Sequence, residues 1–414
     1  MKIGFTGPFG DNNFGDYAML VNDIIEIYKE IDDVDEFVVF TYNISFTKKI
    51  VEKYLKKYSI KVIEIKYCEE LHYEPNKSND FQIKYSNYYM LPQEICSCID
   101  NIEEIEEIVN TLDILILGGG GCMNYYWLAA HRLGRFASII APLIIGKRSN
   151  KKLITLGNTF GPWGNCKEFF EMLFQYLNFA NLSVRDDLGS TSALAEIGQI
   201  GKISSIVDDL YFLQEELKIE KPKIINGKYI VLELYLSMRE IEKQLTNIQE
   251  MVNGAKLYGV QVVFIAFGKK YGGEYQGQYL KDKIPDIVLY PSEEFVKIED
   301  VRKLIQKAEC VVCDRYHALV VSLSENTPCF MYLREIDSSR QYYFNKCYGL
   351  LQKKFANRFF DESEFLVLDL SIGLKRALDC TRINRQKVYF MDAENDLKLK
   401  CQRIKEIKKM IQFD

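Results

Sequence analysis

Short apolar runs alternate with helix-length amphipathic segments along this chain of 414 residues, and this alternation restricts its fold more than any other feature. Most runs are continuously apolar, as expected for strands buried on both faces of a parallel sheet. The predicted strands are residues 3–6, 37–41, 61–65, 114–117, 153–156, 183–185, 204–207, 229–234, 261–266, 287–290, 310–313, 329–333 and 365–368. Helical segments lie between them. The pattern predicts an α/β protein built from β-α-β units.

A charged stretch that contains a proline, residues 215–228, marks the predicted boundary between two Rossmann-like domains. The first would span 1–215, the second 225–380, and a basic helical tail would occupy 381–414. Two domains suit the length, because single cores stop growing beyond about 250–300 residues. Residues 67–99 interrupt the alternation, so we expect an insertion there, either a lid or a surface loop.

Charge and cysteine content restrict the class of protein. The chain has 53 Lys and Arg against 58 Asp and Glu, a formal net charge of −5, which argues against a general nucleic-acid binder. Its eleven cysteines are odd in number and scattered, and no charged leader followed by a long apolar segment is visible at the start. We therefore expect a cytoplasmic protein with reduced thiols.

The tail is locally basic. Between residues 382 and 409 it holds nine Lys or Arg against four acidic residues. Two interpretations stay open: a solvated helix face, or a helix resting near an anionic membrane surface.

Ligands of open parallel sheets bind beyond the carboxyl ends of the strands, so the loops that follow strands are the candidate sites. The first such loop, residues 10–16, reads Gly-Asp-Asn-Asn-Phe-Gly-Asp. It matches neither the dinucleotide fingerprint nor a P-loop. Asp16 is interpreted either as a helix N-cap or, with Asn13, as part of a ligand-binding turn.

Four consecutive glycines follow the strand at 114–117. Turn geometry alone needs one or two glycines, so we expect the backbone at Gly119, Gly120 and Gly121 to approach a bound group closely. Arg185 ends a later strand, where its guanidinium would bind phosphate or carboxylate, unless it pairs with Asp186 or Asp187.

The densest candidate site follows the strand at 310–313, where Arg315 and His317 open a helix. A histidine beside an arginine at a helix start suits an anionic ligand and proton transfer. Cys310 and Cys313 have no second cysteine pair, so a zinc site is not predicted. The pair Asp208 and Asp209 is more typical of helix capping than of a metal site.

Five motifs in order resemble those of the polysaccharide pyruvyl transferase family, over roughly residues 3–350. The loop at 10–16 resembles its G-x-x-N-x-G-D, and residues 113–121 resemble its strand with a glycine run. Gly-Pro at 161–162 and Ser-Val-Arg-Asp at 183–186 follow in the expected order. The most specific match is Arg-Tyr-His-Ala at 315–318, which resembles the family's R-x-H-A. Arg340 stands where the family commonly has a lysine.

The resemblance implies an architecture like that of GT-B glycosyltransferases, with two Rossmann-like domains that face a cleft. It implies transfer of pyruvate from phosphoenolpyruvate to two hydroxyls of a cell-surface polysaccharide or its precursor, as a cyclic ketal. Arg185, Arg315 and Arg340 would hold the donor, and His317 would be the general acid. Asn13, Asp16 and the glycine loop would contact the saccharide acceptor, which in such pathways is often lipid-linked. No cofactor or metal is expected.

Two other functions stay open. A nucleotide-sugar glycosyltransferase of the same architecture could use the same glycine loops and arginines for a diphosphate. A non-catalytic assembly factor would have no need of Arg315 or His317.

Overall fold

A computed structural model describes residues 1–68, 92–218, 225–268, 273–291, 294–336, 338–356, 358–383 and 392–412. Most of the predicted insertion at 67–99 therefore lies outside the described residues. The part of it that is described includes a 3₁₀ helix at Pro92–Cys98.

The chain divides into two compact units. Unit 1 comprises Met1–Asp11, Met19–Asp209 and Lys400–Asp414, and unit 2 comprises Asn12–Ala18 and Leu210–Leu399. Two short segments are thus grouped away from their neighbours in sequence. Residues 12–18, which end the loop after the first strand and begin the first helix, belong to unit 2, and the end of the basic tail belongs to unit 1.

The described residues of unit 1 contain two parallel sheets. Their strands are β1 (Lys2–Thr6), β2 (Glu36–Thr41), β3 (Ile60–Glu64), β4 (Ile114–Leu117), β5 (Gly120–Met123), β6 (Lys152–Thr155), β7 (Asn158–Phe160), β8 (Leu182–Val184) and β9 (Ile203–Ser205). One sheet has the order β3-β2-β1-β4-β6 and the other β5-β7-β8-β9. The first order is that of a Rossmann-like sheet.

Six helices begin within the first 209 residues of the described chain. They are α1 (Phe14–Glu30), α2 (Ile44–Tyr54), α3 (Ile102–Asn110), α4 (Ala130–Arg148), α5 (Lys167–Leu177) and α6 (Gly189–Glu196). A buried apolar cluster joins both sheets to α4 and α5 and includes Leu115, Ile140 and Phe174, each fully buried.

Unit 2 contains one described sheet, of six parallel strands. They are β10 (Lys228–Glu233), β11 (Val260–Phe264), β12 (Ile287–Leu289), β13 (Cys310–Cys313), β14 (Cys329–Tyr332) and β15 (Leu366–Val367). The order is β12-β11-β10-β13-β14-β15. This is the doubly wound order of a Rossmann fold, whose switch point lies between β10 and β13.

The core around this sheet includes Ile230, Val262 and Leu374. The α-helices that begin in the described residues beyond 210 are α7 (Met238–Leu257), α8 (Glu274–Lys283), α9 (Ile298–Lys307), α10 (Tyr316–Ser324), α11 (Gln341–Lys354), α12 (Leu370–Ile383) and α13 (Ala393–Gln412). From Lys400 onward, α13 belongs to unit 1. The expectation of an α/β protein with two Rossmann-like sheets is confirmed.

Two strands were not predicted. Gly120–Met123 and Asn158–Phe160 lie outside the predicted strands, but they pair as β5 and β7. Glycine has low strand propensity, yet pairing uses only backbone groups, and Gly120 supplies a φ of 140° that other residues rarely adopt.

Among the described helices, none is both long and apolar enough to cross a bilayer.

Candidate active site

Residues 12–18, which belong to unit 2, form hydrogen bonds within that unit. The backbone N–H of Phe14 donates to the carbonyl of Phe267 at 2.8 Å. Asn13 directly precedes α1, and its Nδ2 donates to Asp16 Oδ2 at 2.7 Å. The predicted N-cap at Asp16 is therefore corrected: α1 begins at Phe14, so Asp16 lies in its first turn.

Two motifs that are distant in sequence interlock in unit 2. Arg315 Nη1 donates to Asn13 Oδ1 at 2.7 Å. Two residues further along each motif, His317 packs against Gly15, where an added Cβ would lie 1.8 Å from His317 Nδ1. The spacing Asn-x-Gly therefore matches the spacing Arg-x-His, and Gly15 is required because the imidazole fills the space of a side chain.

The end of β13 positions Arg315 and His317. Arg315 caps α10 with extended backbone, and its side chain is 14% exposed. His317 lies in the first turn of α10, is half-buried and makes an edge contact with Tyr316 at a ring distance of 5.4 Å. Both side chains are thus placed at the carboxyl end of the sheet, as predicted.

An aromatic ring and a buried acid surround the Arg315 guanidinium. The guanidinium lies 4.3 Å from the centre of the Tyr235 ring. Its Nε is 3.7 Å from Glu233 Oε1. The guanidinium also packs against Gly268, where an added Cβ would lie 2.4 Å from Arg315 Nη2, so this position has no room for a side chain.

A second arginine and a second acid continue this cluster. Arg334 Nε lies 3.3 Å from Asp314 Oδ2, and the Arg334 guanidinium is 5.6 Å from the Tyr235 ring. Burial, reinforced by the charge of Asp314, raises the pKa of Glu233 to about 8, although Arg315 and Arg334 oppose the shift. Burial also raises the pKa of Asp314, against the lowering effect of both arginines.

Arg340, a predicted donor-binding residue, directly precedes α11. Its Nη2 forms an ion pair with Glu335 at 2.9 Å, and its Nε donates to the Leu333 carbonyl. A different cation, Lys346, is buried among tyrosines, with its Nζ 4.3 Å from the Tyr343 ring.

Arg185, also predicted to bind the donor, is buried inside unit 1. Its Nη1 pairs with Asp208 at 2.9 Å, and its Nε donates to Thr159. The alternative expectation named Asp186 or Asp187 as the acidic partner; the structure shows Asp208 in that role, while Asp186 accepts two hydrogen bonds from Ser190, at 2.6 and 2.8 Å. With 2% of its side chain exposed, Arg185 is oriented by protein groups rather than toward solvent.

The glycine run after β4 has a packing explanation inside unit 1. A Cβ at Gly119 would lie 1.9 Å from Asp209 Oδ2, and one at Gly157 would lie 2.2 Å from Asp209 Oδ1. Two glycines from different strand ends thus leave room for one buried carboxylate. Burial raises the pKa of Asp209 to about 6; Arg403 lowers it and Asp208 raises it further.

Arg403 of the basic tail is buried in unit 1. It pairs with Asp209 at 2.6 Å and with Asp23 and Glu26 at 2.8 Å each. At this position the tail is neither a solvated face nor a membrane contact, because a fully buried arginine holds it against three acids.

Within the described residues, no group of three or more His, Cys, Asp or Glu is arranged to hold a metal ion.

Sequence reasoning missed Glu233, Tyr235 and Arg403. A signal for Glu233 existed: it is a carboxylate inside the apolar run at 229–234, at the end of a strand. Arg403 carried no such signal, because its three acidic partners are distant in sequence.

Solved structures with a similar fold cover nearly the whole chain. A putative UDP-N-acetylglucosamine 2-epimerase from Listeria monocytogenes is 11% identical, with a TM-score of 0.59, covering 99% of this chain and 97% of that one. A UDP-GlcNAc 2-epimerase from Neisseria meningitidis, bound to UDP-GlcNAc, is 12% identical, with a TM-score of 0.58 and 100% of both chains covered. The glycosyltransferase of kitacinnamycin is 7% identical, with a TM-score of 0.50, covering 99% and 98%.

At such identities these likenesses show the fold, which is of the GT-B type. No curated protein matches the chain in sequence. The model of the polysaccharide pyruvyl transferase family matches residues 13–335, from Asn13 to just beyond Arg334, and so includes both interlocking motifs. Because this match covers well over half of the 414 residues, the chain belongs to the polysaccharide pyruvyl transferase family.

Proposed function

We propose that this protein transfers pyruvate from phosphoenolpyruvate to two hydroxyls of a saccharide acceptor, forming a cyclic ketal and releasing phosphate. The observation that carries the proposal is the interlock of Asn13 with Arg315 and of Gly15 with His317. Arg315 and His317 both follow β13 at the carboxyl end of the unit 2 sheet, where Rossmann-like folds bind ligands, and this supports a site with a cation and an acid–base group.

Arg315 is the donor-binding cation in this proposal. A guanidinium recognises phosphate and carboxylate through paired N–H groups, and phosphoenolpyruvate carries both anions. Asn13 accepts a hydrogen bond from Arg315 and donates one to Asp16, so Asn13 orients the guanidinium. Arg185 and Arg340 are paired with Asp208 and Glu335 at 2.9 Å each, closer than the 3.7 Å between Arg315 and Glu233, so Arg315 is the strongest of the three predicted cations.

His317 supplies the proton. Protonation of the methylene carbon of phosphoenolpyruvate forms a C–H bond and makes the neighbouring carbon electrophilic. One sugar hydroxyl attacks that carbon and its proton regenerates His317; the second hydroxyl then replaces phosphate, which takes the other proton. No metal or organic cofactor takes part in this sequence.

The acceptor is proposed to be a saccharide of a cell-surface polysaccharide or its lipid-linked precursor, with phosphoenolpyruvate as co-substrate.

A nucleotide-sugar transferase is the second candidate, because one structural neighbour is bound to UDP-GlcNAc. A thermal-shift panel of phosphoenolpyruvate, UDP, GDP and nucleotide sugars separates the two. A ligand at 100 times its dissociation constant stabilises by about 2.7 kcal/mol. A shift with UDP or GDP and none with phosphoenolpyruvate would contradict the proposal.

Arg315→Lys should not rescue donor binding, because a point ammonium cannot reproduce the guanidinium fork. We expect kcat/KM for phosphoenolpyruvate to fall about 10–100-fold, since hydrogen bonds to charged groups contribute about 1.5–3 kcal/mol. Steady-state kinetics measure this effect, with the exposed Arg239→Lys on α7 as control. Wild-type kinetics in Arg315→Lys would remove Arg315 from the site.

Gly15→Ala should reduce turnover more than it reduces stability. The added methyl group would overlap the His317 ring and displace it, and a displacement of about 1 Å can cost about 10²-fold in rate. Within α1, alanine otherwise favours the helix. Turnover and melting temperature are compared with those of Gly201→Ala, where a Cβ meets nothing within 4 Å. Unchanged turnover in Gly15→Ala would show that the His317 position is not critical.

A further inference from the structure

The reaction as proposed makes no use of Glu233, a buried carboxylic acid at the end of β10. Its side chain is 1% exposed and lies at the switch point of the unit 2 sheet. Neither of its carboxyl oxygens makes a well-aligned hydrogen bond with any described residue, although the backbone N–H of Arg315 is close enough to lower its pKa. A buried acid without such bonds is costly to ionise, so its presence beside Arg315 calls for an explanation.

The neighbouring acid differs at one of its two oxygens. Asp314 Oδ1 accepts a hydrogen bond from the backbone N–H of Tyr235 at 2.9 Å. Asp314 Oδ2 lies 3.3 Å from Arg334 Nε without an aligned hydrogen bond, and Glu233 Oε1 lies 3.7 Å from Arg315 Nε. Asp314 is therefore held in place by the backbone and lies closer to its arginine, whereas Glu233 is a looser partner of Arg315.

Proton occupancy of Glu233 changes the charge that a ligand meets. The titratable or charged groups that act on it come from the end of β13, the start of α10 and the end of β14: Cys313, Asp314, Arg315 and Arg334. When Glu233 and Asp314 are both ionised, their two negative charges balance the two positive charges of Arg315 and Arg334. With Glu233 protonated, the cluster carries one net positive charge. The raised pKa of Glu233, about 8, means that the protonated form dominates at neutral pH.

We propose that Glu233 is a positioning residue that couples anion binding to a proton: Arg315 binds the anionic group of the substrate when Glu233 is neutral, and ionised Glu233 competes for Arg315. The inference rests on the proposed function only in the choice of phosphoenolpyruvate as ligand. Glu233 acts through Arg315 and does not itself touch the reacting atoms.

Calorimetric titration of the full chain with phosphoenolpyruvate at pH 7 and pH 9 tests the coupling. A phosphate monoester has its second pKa near 6, so the ligand changes charge little over this range. The apparent dissociation constant rises as the competent fraction falls. We therefore expect binding to be about tenfold weaker at pH 9 in the wild type. Glu233→Gln, which mimics the neutral acid, should bind about equally well at both pH values.

Two further measurements complete the design. Glu242→Gln, an exposed carboxylate on α7, is the matched control and should keep the wild-type pH dependence. Titrations near pH 8 in buffers of different ionisation enthalpy count the protons taken up by the wild type, without reliance on the folding of any variant. Proton uptake supports the coupling, and its absence overturns it.

The outcomes separate this inference from the proposed function. Binding of phosphoenolpyruvate with the same pH dependence in wild type and Glu233→Gln overturns the inference and leaves the function standing. Binding of UDP instead, with a pH dependence that Glu233→Gln removes, supports the inference and overturns the function. Failure of both ligands to bind overturns both.

Discussion

His317→Gln should lower turnover by about 10²–10⁴-fold, the usual effect of removing a positioned acid or base. Glutamine keeps much of the size and hydrogen bonding of histidine but cannot deliver a proton. Donor binding should weaken much less, because Arg315 and its contact with Asn13 are untouched. Turnover is measured with saturating phosphoenolpyruvate and acceptor, and donor affinity by calorimetry.

The control for this variant is Ser324→Ala, at the opposite end of the same helix, α10. It should turn over like the wild type. If His317→Gln also turns over within a few-fold of the wild type, His317 only positions the substrate and the acid must be sought elsewhere.

Arg403→Met should destabilise unit 1 by about 3–5 kcal/mol at pH 7, because removal of one partner leaves buried charges without compensation. Asp23, Glu26 and Asp209 would all lose the guanidinium that now pairs with them at 2.6–2.8 Å. Urea denaturation, followed for the transition of unit 1, measures the loss. Lys408→Met is the control. Lys408 lies on the same helix as Arg403, α13, and forms a partly exposed ion pair with Glu30 of α1. Its replacement should lower the free energy of unfolding by about 1 kcal/mol or less.

The loss should be smaller at pH 5 than at pH 7. Burial already raises the pKa of Asp209 to about 6 and that of Asp23 well above its usual value, although Arg403 lowers both. Without Arg403 both pKa values rise further. A raised folded-state pKa favours the folded protein at low pH, and this contribution is lost as the pH rises through that pKa. Equal losses at both pH values would show that these acids stay ionised.

Much of the fold was predictable because buried parallel strands are continuously apolar, as at residues 114–117 and 310–313. Arg315 and His317 could also be predicted from the sequence, since a charged residue that follows a buried strand must lie at the edge of the sheet. Their partners Asn13 and Gly15 were recognised as a motif, but the interlock itself depends on tertiary packing across about 300 residues.

Other features depend on three-dimensional contacts that no local pattern encodes. The glycine run at 118–121 indicated a ligand because glycine marks close approach, yet at Gly119 a protein carboxylate, that of Asp209, fills the space. Arg403 looked like one more charge on a basic helix, because its burial depends on acids from α1 and the end of β9.

The Arg403 cluster has a consequence for synthesis of the protein on the ribosome. Arg403 follows Asp209 by 194 residues, which corresponds to roughly 10–40 s of translation at about 5–20 residues per second. During this interval the nascent chain contains three acids destined for burial but not the cation that neutralises them. We therefore expect the first 209 residues to wait in an incompletely folded state, open to chaperones and proteases, until the last helix has emerged. Premature termination upstream of Arg403 should yield a product that is degraded rather than an active fragment.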